Sequence, residues 1–271
     1  LGPPQQRAVL AALLVDAGQP VTAEQLVDRV WGEAPPAGAR RALHAHISRI
    51  RRMLCGAAGA EAGAIRLVWH HSGYLLDANP ELVDWHRFGR LVAASKRQSM
   101  VTERVRLLRD GLALWRGAAL ADVPGQWAAR TRDRWRQQRL DALIWWAEAE
   151  LLIGGHDAVI GATRELLDEH PLVEPLVVVL LQALVAAGRP AEALAYYAAA
   201  RARLADELGT DPGPRLQQLH RAILRGDLQP GTRNTSWRQP PAARTLPGTS
   251  RGARARSSSI SACWRSAGGS A

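Results

Sequence analysis

Residues 39–54 read ARRALHAHISRIRRML and carry Arg40, Arg41, Arg49, Arg51 and Arg52 without a single carboxylate. Arginine presents a planar fork of donors that fits both phosphate oxygens and the O6/N7 edge of guanine, so an unopposed set on one short segment suits a polyanion. At about 100° per residue, Leu43, Ile47, Ile50 and Leu54 fall on one narrow helical stripe, which has to pack inward. Arg41, Ala45, Ser48, Arg49 and Arg52 then lie on the far side, with Arg40, His44 and Arg51 along a flank. A DNA major groove admits one α-helix, and small residues such as Ala45 and Ser48 allow close approach. The bland reading of such a run is a solvated basic face. The elements on either side favour DNA contact.

Other chemistry is poorly supported. His44, His46 and Cys55, and the pair His70-His71, raise the question of zinc. On a helix His44 and His46 point about 200° apart, and no second cysteine is near, so tetrahedral ligation is not expected. His46 should pack beside the apolar stripe instead. Cys55 and Cys263 are the only cysteines, which leaves neither a disulfide framework nor a thiolate cage. The one lysine, Lys96, sits between Ser95 and Arg97, so no phosphate-cradling G-x-x-x-x-G-K-[ST] loop exists. No nucleophile, base and orienting acid stand at readable spacing. Neither an enzymatic activity nor a cofactor is expected.

A second basic cluster, Arg130, Arg132, Arg134, Arg136 and Arg139, is interrupted by Asp133 and Trp135. Its alternate spacing scatters the charges round a helix, so a solvated surface with local ion pairs is the favoured reading. Trp145-Trp146 and Tyr196-Tyr197 fit core and groove lining between stacked helices better than a cofactor box.

The elements that must hold the first arginine set follow from periodicity and punctuation. Residues 4–17 place Val9, Leu10, Leu13 and Leu14 at helical spacing before Gly18, and Pro20 opens a turn. Thr22 is a natural N-cap for a helix over Ala23 to Trp31, which Gly32 and Pro35-Pro36 end. A third helix runs from about Ala39 to Leu54. Ile65 to Trp69 and Tyr74 to Leu76, joined by His70-His71-Ser72-Gly73, read as a β-hairpin. Three helices and a hairpin make a winged helix-turn-helix over residues 1–79.

Beyond Asn79-Pro80 the strand signals stop. Helical periods continue to about residue 226, broken at Gly117, Pro124-Gly125, Gly154-Gly155, Pro171, Gly188 and Pro212 to Pro214. Gly154 and Gly188 are 34 residues apart, as are Val159 and Ala193, the period of tetratricopeptide-like helix pairs. Residues 80–230 are therefore expected to form an all-α repeat domain, and the fold class is mainly α. Residues 231–271 lack a period and are rich in Arg, Ser, Gly and Pro, which predicts a disordered basic tail.

The net charge of +10 splits as +2 over residues 1–79, +1 over 80–230 and +7 over 231–271. The bulk excess therefore belongs to the tail, and any DNA claim rests on the local pattern. A run of about 20 apolar residues and a signal peptide are both missing from the sequence, so no membrane partner and a cytoplasmic location are expected.

The segments LGPPQQRAVLAALLV, VTAEQLVDRVWGEAPPAGAR, ALHAHISRIRRML and SGYLLD resemble the winged helix of OmpR-type regulators, in the version found in the Streptomyces antibiotic regulatory protein family. VDWHRFGRLV, ALWRGAALADV and LVAAGRPAEALAYYAAARARLADELGTDPGPRLQQLHRAIL resemble the bacterial transcriptional activator domain that follows it there. The resemblance implies that the second helix supports, the third lies in the major groove and the hairpin wing reaches the adjacent minor groove. Arg41, His44, Ser48, Arg49 and Arg52 match DNA-facing positions, and Arg51 belongs to the same doublet. It also implies binding to promoter direct repeats as a homodimer, recruitment of RNA polymerase and activation of antibiotic gene clusters.

There are departures. The family's small sheet ahead of the first helix has no counterpart, so the chain reads as a fragment whose Val9, Leu10, Leu13 and Leu14 should be partly bare. His70 and Leu75 stand where the wing usually carries arginines, and the tail matches no family module. The competing readings are an interaction scaffold with a truncated, non-binding winged helix, and an enzyme of unrecognised type.

Overall fold

The computed structural model describes residues 2–57 and 65–228. The first helix, α1 (Pro4–Val15), is followed by a short strand β1 (Pro20–Thr22), α2 (Ala23–Trp31), α3 (Ala39–Ala57) and a hairpin of β2 (Ile65–His70) and β3 (Gly73–Ala78). The three strands form one antiparallel sheet in the order β1-β3-β2. This is the winged helix expected from the pattern, with one strand more. Pro20 begins a strand rather than a turn, and Val21, pairing with Tyr74, is buried. Three residues led by a proline carry too little alternation to be legible, although proline is tolerated at a strand's first position.

Local chemistry explains the boundaries. The Thr22 hydroxyl accepts from the Gln25 amide N–H at 3.1 Å, and the Gln25 side chain accepts from Thr22 N–H at 3.0 Å, a reciprocal capping box that starts α2. Gly32, at φ 64°, ends it. At Gly73 a Cβ would lie 2.5 Å from the Val21 carbonyl oxygen, so β1 can approach β3 only because that residue has no side chain.

The winged-helix core joins Val9, Ala12 and Leu13 of α1, Leu26 of α2, Leu43, Ile47 and Ile50 of α3, and Leu67, Tyr74 and Leu76 of the hairpin. Each fully buried aliphatic side chain contributes about 1.5–3 kcal/mol. Of the four apolar residues on α1, Val9 and Leu13 are buried while Leu10 and Leu14 pack partly buried against this core and keep some of their surface open. A neighbouring face of α1 is covered from sequence positions far downstream. Ala8 and Ala11 meet Val123 and Ala128, and a ring nitrogen of His86 lies 3.2 Å from the Leu14 carbonyl oxygen.

After a 3-10 turn at Pro80–Leu82 come α4 (Asp84–Arg97), α5 (Val101–Leu112), the 27-residue α6 (Gln126–Leu152), α7 (His156–Glu169), α8 (Glu174–Ala186), α9 (Pro190–Leu208) and α10 (Pro214–Arg225). The described residues gather into two compact units, one of residues up to 94 with 110–139, the other of 95–109 with residues from 140 onward. In the first, Trp85 stacks on Trp135 at 4.3 Å, Phe88 meets Trp115 edge-on at 5.5 Å, and the Arg29 guanidinium lies 5.5 Å from the Trp127 ring centre.

In the second, α7 packs on α8, α8 on α9, and α10 on both α8 and α9. The repeat is real at the level of side chains. Val159 and Ala193, equivalent by the 34-residue period, are both wholly buried, and Gly154 and Gly188 both take positive φ, 87° and 75°. Trp146 and Tyr197 are core residues, Tyr197 stacking on His220 at 3.8 Å, while Lys96 lies 3.9 Å from the ring centre of the half-buried Trp145. Among the described residues no helix is long and apolar enough to cross a membrane. The tail expectation, residues 231–271, lies outside the described residues.

Candidate nucleic-acid interface

The third helix is held from beneath. Leu43, Ile47 and Ile50 are buried and Leu54 partly so, the stripe expected from the wheel. That fixes the rotation of α3 and turns Arg41, Ala45, Ser48, Arg49 and Arg52 to solvent. Arg41, Arg49 and Arg52 form no ion pair or hydrogen bond with any described residue. From Arg41 to Arg52 the helix rises about 17 Å, and the three guanidinium stems fall within a sector of about 80°. Ser48 donates its hydroxyl hydrogen to the His44 carbonyl oxygen at 2.9 Å and leaves its oxygen lone pairs outward.

The flanking residues behave differently from the open face. Arg40 pairs with Glu24 of α2 at 2.7 Å. Both partners are exposed, so the pair contributes about 0–1 kcal/mol and yields easily to a phosphate. Arg51 turns back and donates its Nε–H to the Leu67 carbonyl oxygen of β2 at 2.8 Å. Through Nε it ties helix to wing, while the side chain stays exposed on the flank.

Register in the hairpin is set by a left-handed residue, His71 at φ 48°, followed by Ser72. His70 is exposed at the tip, its ring edge-on to His71 at 4.1 Å. Trp69, 54% exposed, packs edge-on against its cross-strand partner Tyr74 with ring centres 4.9 Å apart. Tyr74 is buried and its hydroxyl oxygen lies 2.9 Å from His44 Nδ1. Burial pushes the Tyr74 phenol above its ordinary range, against a smaller opposing effect of Arg51.

The two histidines of α3 thus have separate partners, His44 with Tyr74 and His46 with the Trp31 ring at 6.3 Å. Burial holds the His46 imidazole below its ordinary range, and the Arg49 charge adds to the effect. Pattern reasoning placed His46 correctly and missed Tyr74, Trp69 and the Leu67 carbonyl. Strand alternation puts Tyr74 on the buried face with Leu76, yet nothing in the sequence says which residue of α3 it meets.

The second cluster does not form a face of its own. Arg132 donates to the carbonyl oxygens of Leu120 and Val123 at 2.8 and 2.9 Å, Arg136 pairs with Asp133 at 3.0 Å, and Arg139 lies 5.6 Å from the Trp115 ring centre.

The profile of the family described as "Bacterial transcriptional activator domain" matches residues 83–224, and that of "Transcriptional regulatory protein, C terminal" matches residues 2–76. The transcriptional regulator RedD of Streptomyces coelicolor is 38% identical over 239 residues, covering 86% of this chain and 68% of RedD. The chain belongs to the Streptomyces antibiotic regulatory protein family. It is also 38% identical over 229 residues to the regulatory protein AfsR of Streptomyces griseus, of which it spans 23%. A solved structure of Mycobacterium tuberculosis EmbR, in complex with a low affinity phosphopeptide, superimposes with a TM-score of 0.76 at 34% identity, covering 84% of this chain and 60% of EmbR. In this family the OmpR-type winged helix precedes the activator domain, the order seen here.

Proposed function

We propose that the chain is a sequence-specific DNA-binding transcriptional activator of a secondary-metabolite gene cluster, and that it acts as a regulator, not an enzyme. The observation that carries this is the open face of α3, where Arg41, Arg49 and Arg52 flank small residues and have no protein partner among the described residues. Positioning of α3 by a buried stripe, and a wing tied to the same helix, are what groove recognition requires. Within the proposal, residues 1–79 hold the DNA, with Arg41, His44, Ser48, Arg49 and Arg52 in the major groove, His70 at the wing and Arg40 free to exchange Glu24 for a phosphate. Residues 80–230 offer the helical surface for RNA polymerase. Direct repeats at promoters and a homodimer on DNA are the expected arrangement, as the family resemblance implies.

The test is a mobility shift on fragments of the surrounding genome, followed by footprinting of any shifted fragment at physiological salt. Protection of a repeated motif upstream of biosynthetic genes is expected. The absence of any shift would leave only the scaffold reading, in which the helical domain binds protein and the winged helix binds nothing; a shift removed by specific and non-specific competitor alike would overturn sequence specificity.

A further inference from the structure

The hydroxyl of Tyr74 and the imidazole of His44 belong to different elements, β3 and α3, and meet at 2.9 Å. Tyr74 is 3% exposed, packed under Trp69 on one side and the α3 helix on the other. Among the described residues its O–H has no other acceptor. If His44 Nδ1 carried the proton, the phenol would have to accept, and its own hydrogen would be left in a buried place without a partner, which is costly. Donation from Tyr74 to a bare Nδ1 satisfies both groups. A tyrosine phenol keeps its hydrogen at neutral pH, and burial here pushes its pKa further up.

A neutral imidazole has one N–H, so fixing one nitrogen as acceptor fixes the other as donor. Nε2 has no protein partner among the described residues, and His44 is exposed beside Ala45 and Ser48 on the helix. We propose that Tyr74 is a positioning residue for DNA recognition: it locks His44 as the Nε2–H tautomer, so that α3 presents a neutral donor, oriented from the wing, to an acceptor on DNA. The proposal rests on the DNA-binding reading above. The acceptor is a phosphate oxygen or a purine N7 or guanine O6, all of which take a single N–H. Arginines on the same face supply charge; His44 adds an uncharged donor whose direction the phenol dictates.

Two measurements test it. The first needs no DNA. Nitrogen-15 NMR of the full chain at about pH 8, above the ordinary imidazole range, should show His44 with a protonated Nε2 and a bare Nδ1. In Tyr74→Phe, which keeps the ring against Trp69, the two tautomers should mix. A wild-type Nδ1–H tautomer, or a spectrum unchanged by Tyr74→Phe, would overturn the proposal whether or not the chain binds DNA.

The second uses a duplex enriched from a random pool by the wild-type protein. Tyr74→Phe should weaken binding about three- to tenfold, the worth of one hydrogen bond. In a His44→Gln background, where the amide donates whatever stands at position 74, Tyr74→Phe should change nothing. An equal loss in both backgrounds would mean that Tyr74 acts only through packing, and would overturn the proposal. Replacing single phosphates by methylphosphonates, purines by their 7-deaza analogues, or guanines by 2-aminopurine, which lacks O6, identifies the acceptor as the substitution that abolishes the Tyr74→Phe effect. If no duplex is enriched, the function proposed above fails, while the NMR result still decides the tautomer.

Discussion

Helices α3 and α6 both carry five arginines within a short stretch, and the structure treats them differently. On α3, Arg41, Arg49 and Arg52 are left open on one side, on a helix with no carboxylate of its own. On α6, Arg132 is fastened to two backbone carbonyls, Arg136 to Asp133 and Arg139 lies over Trp115. The exposed remainder, Arg130 and Arg134, lies within about one turn and beside that Asp133. Basic residues make a binding surface only where the protein has not already used them. A count of arginines cannot distinguish the two helices; an account of their partners does.

The sharpest way to break this contrast is to remove charge from each helix in turn. Replacing Arg49 and Arg52 together by Ala should weaken specific DNA binding by about a hundredfold, at roughly tenfold per good contact, with far-UV circular dichroism unchanged. Arg130→Ala with Arg134→Ala should stay within about twofold at physiological salt. Comparable losses from the two pairs in the same mobility shift would remove the distinction.

The next effect runs the other way. Arg132→Met should lower unfolding free energy by about 1–2 kcal/mol, because two carbonyl acceptors lose a charged donor, while DNA affinity of the folded protein is unchanged. Urea denaturation read against binding separates the two quantities. If Arg132→Met alters affinity and leaves stability alone, α6 is part of the interface.

A smaller effect belongs to His46 on the buried side of α3. Its imidazole is held below its ordinary range by burial and by Arg49. The folded state therefore binds fewer protons than the unfolded state in a window that closes at about pH 6.5. Stability from this residue is fully present above that pH and is lost as pH falls through the window. His46→Leu should flatten the slope of urea midpoint against pH by up to about one proton there. An identical slope in wild type and variant would show that the site does not titrate with folding.

The smallest expected change in specific binding comes from deleting residues 231–271. Their seven arginines and no acid act as a sequence-blind polycation, so the footprint should persist while non-specific binding loses part of its salt dependence. Loss of the footprint would make the tail part of the recognition surface.

Much of this was legible in the sequence because it is periodic. The stripe Leu43, Ile47, Ile50 and Leu54 gave the rotation of α3, and the 34-residue spacing of Val159 and Ala193 gave the stacked helix pairs. Thr22 marked the start of α2 to the residue. What periodicity does not encode is contact between segments far apart in the chain. The strand β1 is visible only through its pairing with β3, and the cover over α1 comes from Val123, Ala128 and His86. Arg51 turning to Leu67, and Tyr74 meeting His44, are likewise facts of packing. At the site, the residue types were readable and their partners were not.

Helix α8 has a consequence for how the chain is made. Nine of its residues, among them the run from Leu176 to Leu181, are buried, and α7, α9 and α10 together do the covering. On a ribosome α7 emerges first, but α9 and α10 follow, and the last of them ends at Arg225. At about 5–20 residues per second, the roughly 40 residues after α8 take some 2–8 seconds to appear. Through that interval a β-branched, uncharged stretch stands partly open, and such stretches pair readily with one another. Glu174 and Pro175 at its leading end interrupt that pairing. The helix whose buried face joins α7, α9 and α10 in the finished domain is therefore one that the nascent chain has to shield until its last helix is out.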